Sequence, residues 1–225
     1  MKKTIFYTLG IIYLAMMSCT SQTHVDITPH EVNPEADAIY QKAIELSAYY
    51  DIDSTQKTLQ LLDNALIIDS LNPDYYGLKA KLLSELGHLD SALNVQRLAN
   101  KRGAMTGEYL FQLGLFQAAK DQNEEAKKSF KKSDEYLKTV LKQYPDSLGA
   151  FIIQQAAHAL YMGQDSLFMP DVPAVRERFS DRLMEIEMTR RLKPHNLINK
   201  LKKIEEEALF PTDEEMNRLI EEAMK

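Results

Sequence analysis

A single cysteine, Cys19, stands in the stretch MMSCTSQ directly after an apolar run, and none of the other 224 residues offers a second thiol. An intramolecular disulfide is therefore excluded, which leaves modification, pairing with another molecule or no chemistry. Five histidines, His24, His30, His88, His158 and His195, are scattered without an H-E-x-x-H, a paired metal spacing or a Cys/His cluster. No G-x-S-x-G elbow, Walker loop or G-x-G-x-x-G turn is present. Dense acids such as Glu205-Glu206-Glu207 alternate with lysines, as on a solvated helix face. Catalysis requires a positioned base, nucleophile or metal, so these residues predict no enzyme, no metal site and no cofactor. His158, beside Tyr161 on an apolar segment, is expected as a packed, hydrogen-bonded side chain rather than a ligand.

The cysteine gains meaning from what precedes it. Met1-Lys2-Lys3 gives a basic start, and residues 5–17 form an apolar run. A helix needs about 20 apolar residues to cross a bilayer core, so this shorter run predicts a signal peptide. The following TSQTHVDITPHEVNPEADAI is polar and predicts a tether. A basic start, a short apolar core and Ser18 before Cys19 resemble a bacterial lipoprotein signal, in which the cysteine becomes an acylated N-terminus. Met16 and Met17 depart from the usual leucine and small residue. The resemblance implies lipid attachment at Cys19, and two or more acyl chains hold a protein firmly where one does not. Thr20-Ser21-Gln22-Thr23 carries no acid, which favours the outer membrane facing the periplasm. Cleavage after Thr20 or Ser21 would instead give a soluble periplasmic or secreted protein.

Composition sets the fold class. The apolar fraction is 44% and the charged fraction 27%, as in an ordinary folded chain, while eight glycines and eight prolines leave long Leu/Ala/Glu/Lys-rich stretches unbroken. That favours helix. The formal net charge of −6 repels phosphate backbones, so no nucleic-acid partner is expected.

A 34-residue step runs along the chain. It relates Leu46, Ala80 and Gly114, then Thr58, Ala92 and Ala126. It also relates Ala65, Ala99 and Ser133, and Leu62, Gln96 and Phe130. The middle copy adds Tyr76, Leu83 and Gly87, and the third adds Leu110 and Leu113. These columns resemble the tetratricopeptide repeat (TPR), a helix–turn–helix of that period. The resemblance implies an all-α, TPR-like solenoid of antiparallel helix pairs. Small residues at Ala80 and Gly114 would let the paired helix approach, and Ala92, Ala99, Ala126 and Phe130 would carry the stacking. Gly87, in SELGHLD, would make the turn, since it tolerates φ > 0. Lys79, Gln117, Lys42 and Glu45 depart from the family's apolar positions.

The resulting division is a signal peptide at 1–18, a tether at 19–35, three repeats at 36–144, and a degenerate repeat with C-terminal helices at 145–225. The third repeat's second helix is expected to reach Gln143 before Tyr144-Pro145-Asp146. FIIQQAAHALYMG is expected to open a further pair, with helices following at about 174–191, 196–208 and 213–224. These last helices would cap the solenoid.

The family's inner-face positions fall here on Tyr40, Ala43, Ser47, Tyr50 and Asp51, then Asp74, Gly77, Lys81, Ser84 and Glu85, then Glu108, Phe111, Leu115, Ala118 and Ala119. One subclass clamps a peptide's carboxylate with Lys, Asn and Arg. Ala43, Ser47, Leu78, Glu108 and Gln112 occupy those positions, so that clamp is absent. A protein-binding groove is expected around Tyr50, Lys81, Ser84, Glu85, Phe111 and Leu115, with Phe111 and Leu115 as apolar anchors. The alternatives are that the chain's own C-terminal helices fill this face, or that a register slip makes these core residues. The function implied is an interaction adaptor for envelope proteins, anchored through the N-terminal lipid. An accessory lipoprotein of outer-membrane assembly or nutrient uptake is the alternative.

Overall fold

The structure, a computed structural model, describes residues 30–49, 51–169 and 173–207. Cys19, the signal segment, Tyr50 and the helix expected at 213–224 lie outside the described residues.

The described chain is all helical. It runs α1 (Pro34–Ser47), α2 (Ile52–Ile68), α3 (Pro73–Glu85), α4 (Leu89–Arg102), α5 (Gly107–Ala119), α6 (Asn123–Gln143) and α7 (Leu148–Met162). Short elements follow: α8 (Pro173–Arg178), α9 (Leu183–Arg190) and α10 (Pro194–Glu206), with 3₁₀ turns at Asp165–Leu167 and Ser180–Arg182.

Local chemistry sets the helix starts. Asn33, Asp51, Asn72, Thr106 and Ser147 each accept a hydrogen bond from a first-turn backbone N–H, satisfying a donor that the helix itself cannot. Pro34, Pro73 and Pro194 occupy first-turn positions, where a missing N–H costs nothing. Between α3 and α4 the chain reverses at Gly87, whose φ of 87° lies in the left-handed region.

Helices pack with their neighbours in sequence order, α1 on α2 through α6 on α7. Small residues permit the contacts. A Cβ on Gly114 would sit 2.6 Å from the Phe130 ring. Phe130 also packs against Phe111, ring centroids 5.8 Å apart. Ala80, Ala92, Ala99 and Ala126 are buried, and the Ser133 hydroxyl donates to the Gly107 carbonyl across 2.6 Å. One core cluster spans α3 to α7 and continues to Leu201 on α10.

Three boundaries differ from the sequence reading. Ala80 and Gly114 sit mid-helix, whereas Leu46 is the penultimate residue of α1, so the first helix is slipped towards the N-terminus and Ala36 and Ala43 are its buried small residues. Asn33 and Asp51 fix that slip, because each caps a helix start. The stretch expected as one helix at 174–191 is broken by the turn at Ser180–Arg182, where Phe179 turns into the core against Phe151, centroids 5.2 Å apart. Helix also begins inside the segment read as a tether, and that segment's end is fastened. His30 Nε2 lies 2.7 and 2.8 Å from the two Asp69 oxygens, and the Asn33 N–H donates to the same carboxylate.

Candidate functional site

Alternate helices α3, α5 and α7 share a face, and α10 packs on all three. Of the groove positions the sequence assigns, Lys81, Ser84, Glu85, Phe111 and Leu115 lie on α3 and α5, and few of them are open. Phe111 is 1% exposed and Leu115 6%. Both belong to the core, so the expectation of an open apolar patch at these residues is corrected. The reason is cover: α5 is largely apolar and is packed on by α4, α6, α7 and α10, with its Tyr109 ring against Gly77 of α3.

On α3 the candidates keep their charge. Lys81 Nζ and Glu85 Oε1 stand 3.7 Å apart, with their side chains 14% and 19% exposed. Burial raises the Glu85 carboxyl above its ordinary value, opposed by the Lys81 ammonium. Ser84 is buried, and its hydroxyl donates to the Lys81 carbonyl one turn earlier (2.7 Å). Asp51, read as an inner-face position, instead caps α2.

Towards the N-terminal end the face becomes aromatic and polar. The Tyr109 ring lies over Gly77, where a Cβ would meet it at 1.9 Å. Its hydroxyl donates to Asp74 Oδ1 across 2.8 Å. Tyr40 packs against Tyr75 with centroids 4.9 Å apart. Burial, and after it the Asp74 charge, drives the Tyr40 and Tyr109 phenols well above their ordinary value. Tyr75 is pushed up to about 12, chiefly by burial. Phenols held this high keep their protons at neutral pH, so they serve as donors and packing surface rather than as bases.

Side-chain pairs pin the helices beneath. Gln112 accepts from Gln96, Gln117 accepts from the Ser129 hydroxyl (2.7 Å), and Gln154 donates to Asp134. Lys79 likewise reaches Asp63 on α2. His158 Nδ1 lies 3.5 Å from Asp134 Oδ2.

At the other end, α10 meets α5, α6 and α7 along a cleft of about 350 Å³. Its floor includes Ala126, Phe130 and Leu160, and its rim includes Lys127, His195 and Lys202. His195 Nδ1 stands 2.6 Å from Asp165. Lys120 Nζ donates to Glu205 on α10 (2.8 Å) and to Asp90 (3.0 Å), and Lys202 pairs with Asp121. Sequence reasoning missed Tyr109, Lys120 and Asp121. For two of them a signal was present: Tyr109 lies one repeat step after Tyr75, and Asp121 one step after Gly87.

Among the described residues no group of three or more His, Cys, Asp or Glu is placed to hold a metal ion, and no helix is long and apolar enough to cross a membrane. Compared with known proteins, the chain matches no family model and no curated protein.

Proposed function

We propose that this protein is a non-enzymatic, TPR-like helical-repeat adaptor, held at a bacterial envelope membrane by acyl chains on Cys19 and offering its shared α3/α5/α7 face to envelope proteins. The observation that carries the reading is that face itself. Three alternate helices of a sequentially packed series take up a fourth helix together. Stacked helix pairs present such continuous surfaces, and binding to them needs no catalytic group. The small residues of the repeat columns, buried where consecutive helices meet, support the TPR-like arrangement.

The anchor rests on residues 1–19, with a basic start, a short apolar core and then the only cysteine. Multiple acylation holds a domain at a bilayer, since each buried methylene contributes about 0.8 kcal/mol. Two measurements test the reading. Metabolic labelling with a fatty-acid analogue should mark the wild type and not Cys19→Ser, and equal labelling of both removes the anchor. Affinity purification of the full chain from membranes should enrich the same envelope proteins in repeated preparations. Recovery of none removes the adaptor role.

A further inference from the structure

We propose that the α3/α5/α7 face is a helix-binding groove with α10 as its built-in occupant, and that the partner it fits is an amphipathic helix that competes with α10. The inference rests on the adaptor reading and names the kind of partner.

The seating of α10 has the form of ligand recognition. Pro194, Leu197, Ile198, Leu201, Lys202 and Glu205 fall on one helical stripe, at i, i+3, i+4, i+7, i+8 and i+11. Pro194 and Leu201 are buried, and Leu197 and Ile198 pack against the core. The stripe then ends in two charges, each met from the turn after α5: Glu205 by Lys120 and Lys202 by Asp121. An apolar row followed by paired charges is how a groove reads an amphipathic helix.

Asp121 argues that the turn is shaped for this contact. One repeat earlier, the same turn holds Gly87, which adopts φ of 87° without penalty. Asp121 takes φ of 57°, a left-handed conformation that Asp tolerates better than most residues with a Cβ. Its carboxylate reaches Lys202, which no glycine could do.

The fit is also incomplete, as an exchangeable contact requires. Pro194 and Leu201 are the buried residues of α10, whereas residues 110–119 of α5 are buried without a break. The cleft of about 350 Å³ runs along one flank of α10. A smaller apolar recess lies on the other, lined by Gly149, Ile152, Ala156 and Leu197 among others. The ion pairs lie near solvent, with the Asp121 side chain 78% exposed. Departure of α10 alone would bare the apolar side of α5. Exchange for another helix of the same pattern would keep it covered.

The test uses the purified full chain and a fluorescein-labelled peptide of residues 192–207, with binding read by anisotropy. The wild type, with its own α10 seated, should bind the peptide weakly. Leu201→Asp, which removes the central apolar contact of α10, should bind it at least tenfold more tightly. A peptide carrying Leu201→Asp should bind neither protein. A second variant, Lys202→Glu with Glu205→Lys, changes charged side chains near the surface and should raise peptide affinity about threefold, which keeps the test open should Leu201→Asp fail to fold. Unchanged affinity in every variant that retains wild-type helical circular dichroism overturns the proposal. The peptide measurement needs neither the membrane nor an envelope partner, so its failure and that of the adaptor reading are told apart.

Discussion

Helices α3 and α5 stand one repeat step apart, yet they solve different problems. Where α3 carries Asp74, Gly77, Lys81, Ser84 and Glu85, the matching positions of α5 carry Glu108, Phe111, Leu115, Ala118 and Ala119. Both helices are capped by a short polar side chain, and both pack on the helix that follows them. They differ in what lies over the remaining side. On α5 that side is closed, and residues 110–119 are all buried. On α3 it carries a half-buried ion pair and the Tyr109 ring. The 34-residue step therefore matches one helix to its counterpart in the sequence, while the chemistry of the face they share follows from the cover each helix receives.

The comparison can be broken first at Phe111. Truncation to alanine should cost about 3–5 kcal/mol, read as a fall in the urea midpoint at unchanged slope, because a fully buried aromatic leaves a cavity. A loss below about 1 kcal/mol would mean that α5 is not enclosed.

At the matching position of α3, Gly77→Ala should cost about 1–3 kcal/mol despite the better helix propensity of alanine, since the new methyl collides with the Tyr109 ring. Adding Tyr109→Ala should recover part of that loss, and strict additivity of the two changes would rule out the collision.

Tyr109→Phe should cost about 1 kcal/mol by removing the donor to Asp74. The same cluster sets an alkaline limit. Tyr40, Tyr75 and Tyr109 are raised above the ordinary 10.0, so the fold favours their neutral form. Their contribution is fully present below pH 10 and is lost as pH rises through the raised values, because the unfolded chain ionises first. Phenolate absorbance near 295 nm from these residues should therefore appear together with loss of helical circular dichroism. Titration of all the tyrosines near pH 10 in an intact fold would contradict the burial.

The smallest effect belongs to Lys81→Ala. The pair is mostly buried, but the Glu85 carboxyl, already raised by burial, can take up a proton once the ammonium is gone, so stability should fall by about 1 kcal/mol. A loss matching that of Phe111→Ala would erase the distinction between the two helices.

Much of this architecture is legible in the chain. Gly87 in its turn, Ala80 and Gly114 facing a neighbour, and the end of α6 at Gln143 follow from local rules of space and backbone freedom. The slip of α1 is harder to read, because it depends on Asn33 and Asp51 winning as caps over a period that continues past them. The break before α9 depends on where Phe179 finds a partner, which no spacing announces. Gly77 and Tyr109 are each ordinary residues for their helices, and only the contact between α3 and α5 reveals that one makes room for the other.

By itself the sequence determined the helices, their order of packing and the small residues between them, because a helix pair's approach is governed by side chains that recur with a fixed local period. Only the tertiary structure decided which face is open. Lys120 meets Glu205 across 85 residues of chain, and Phe111, an apparent anchor, is core because the Phe130 ring of α6 packs against it. Burial is a property of everything that packs around a residue, and no period along the chain encodes it.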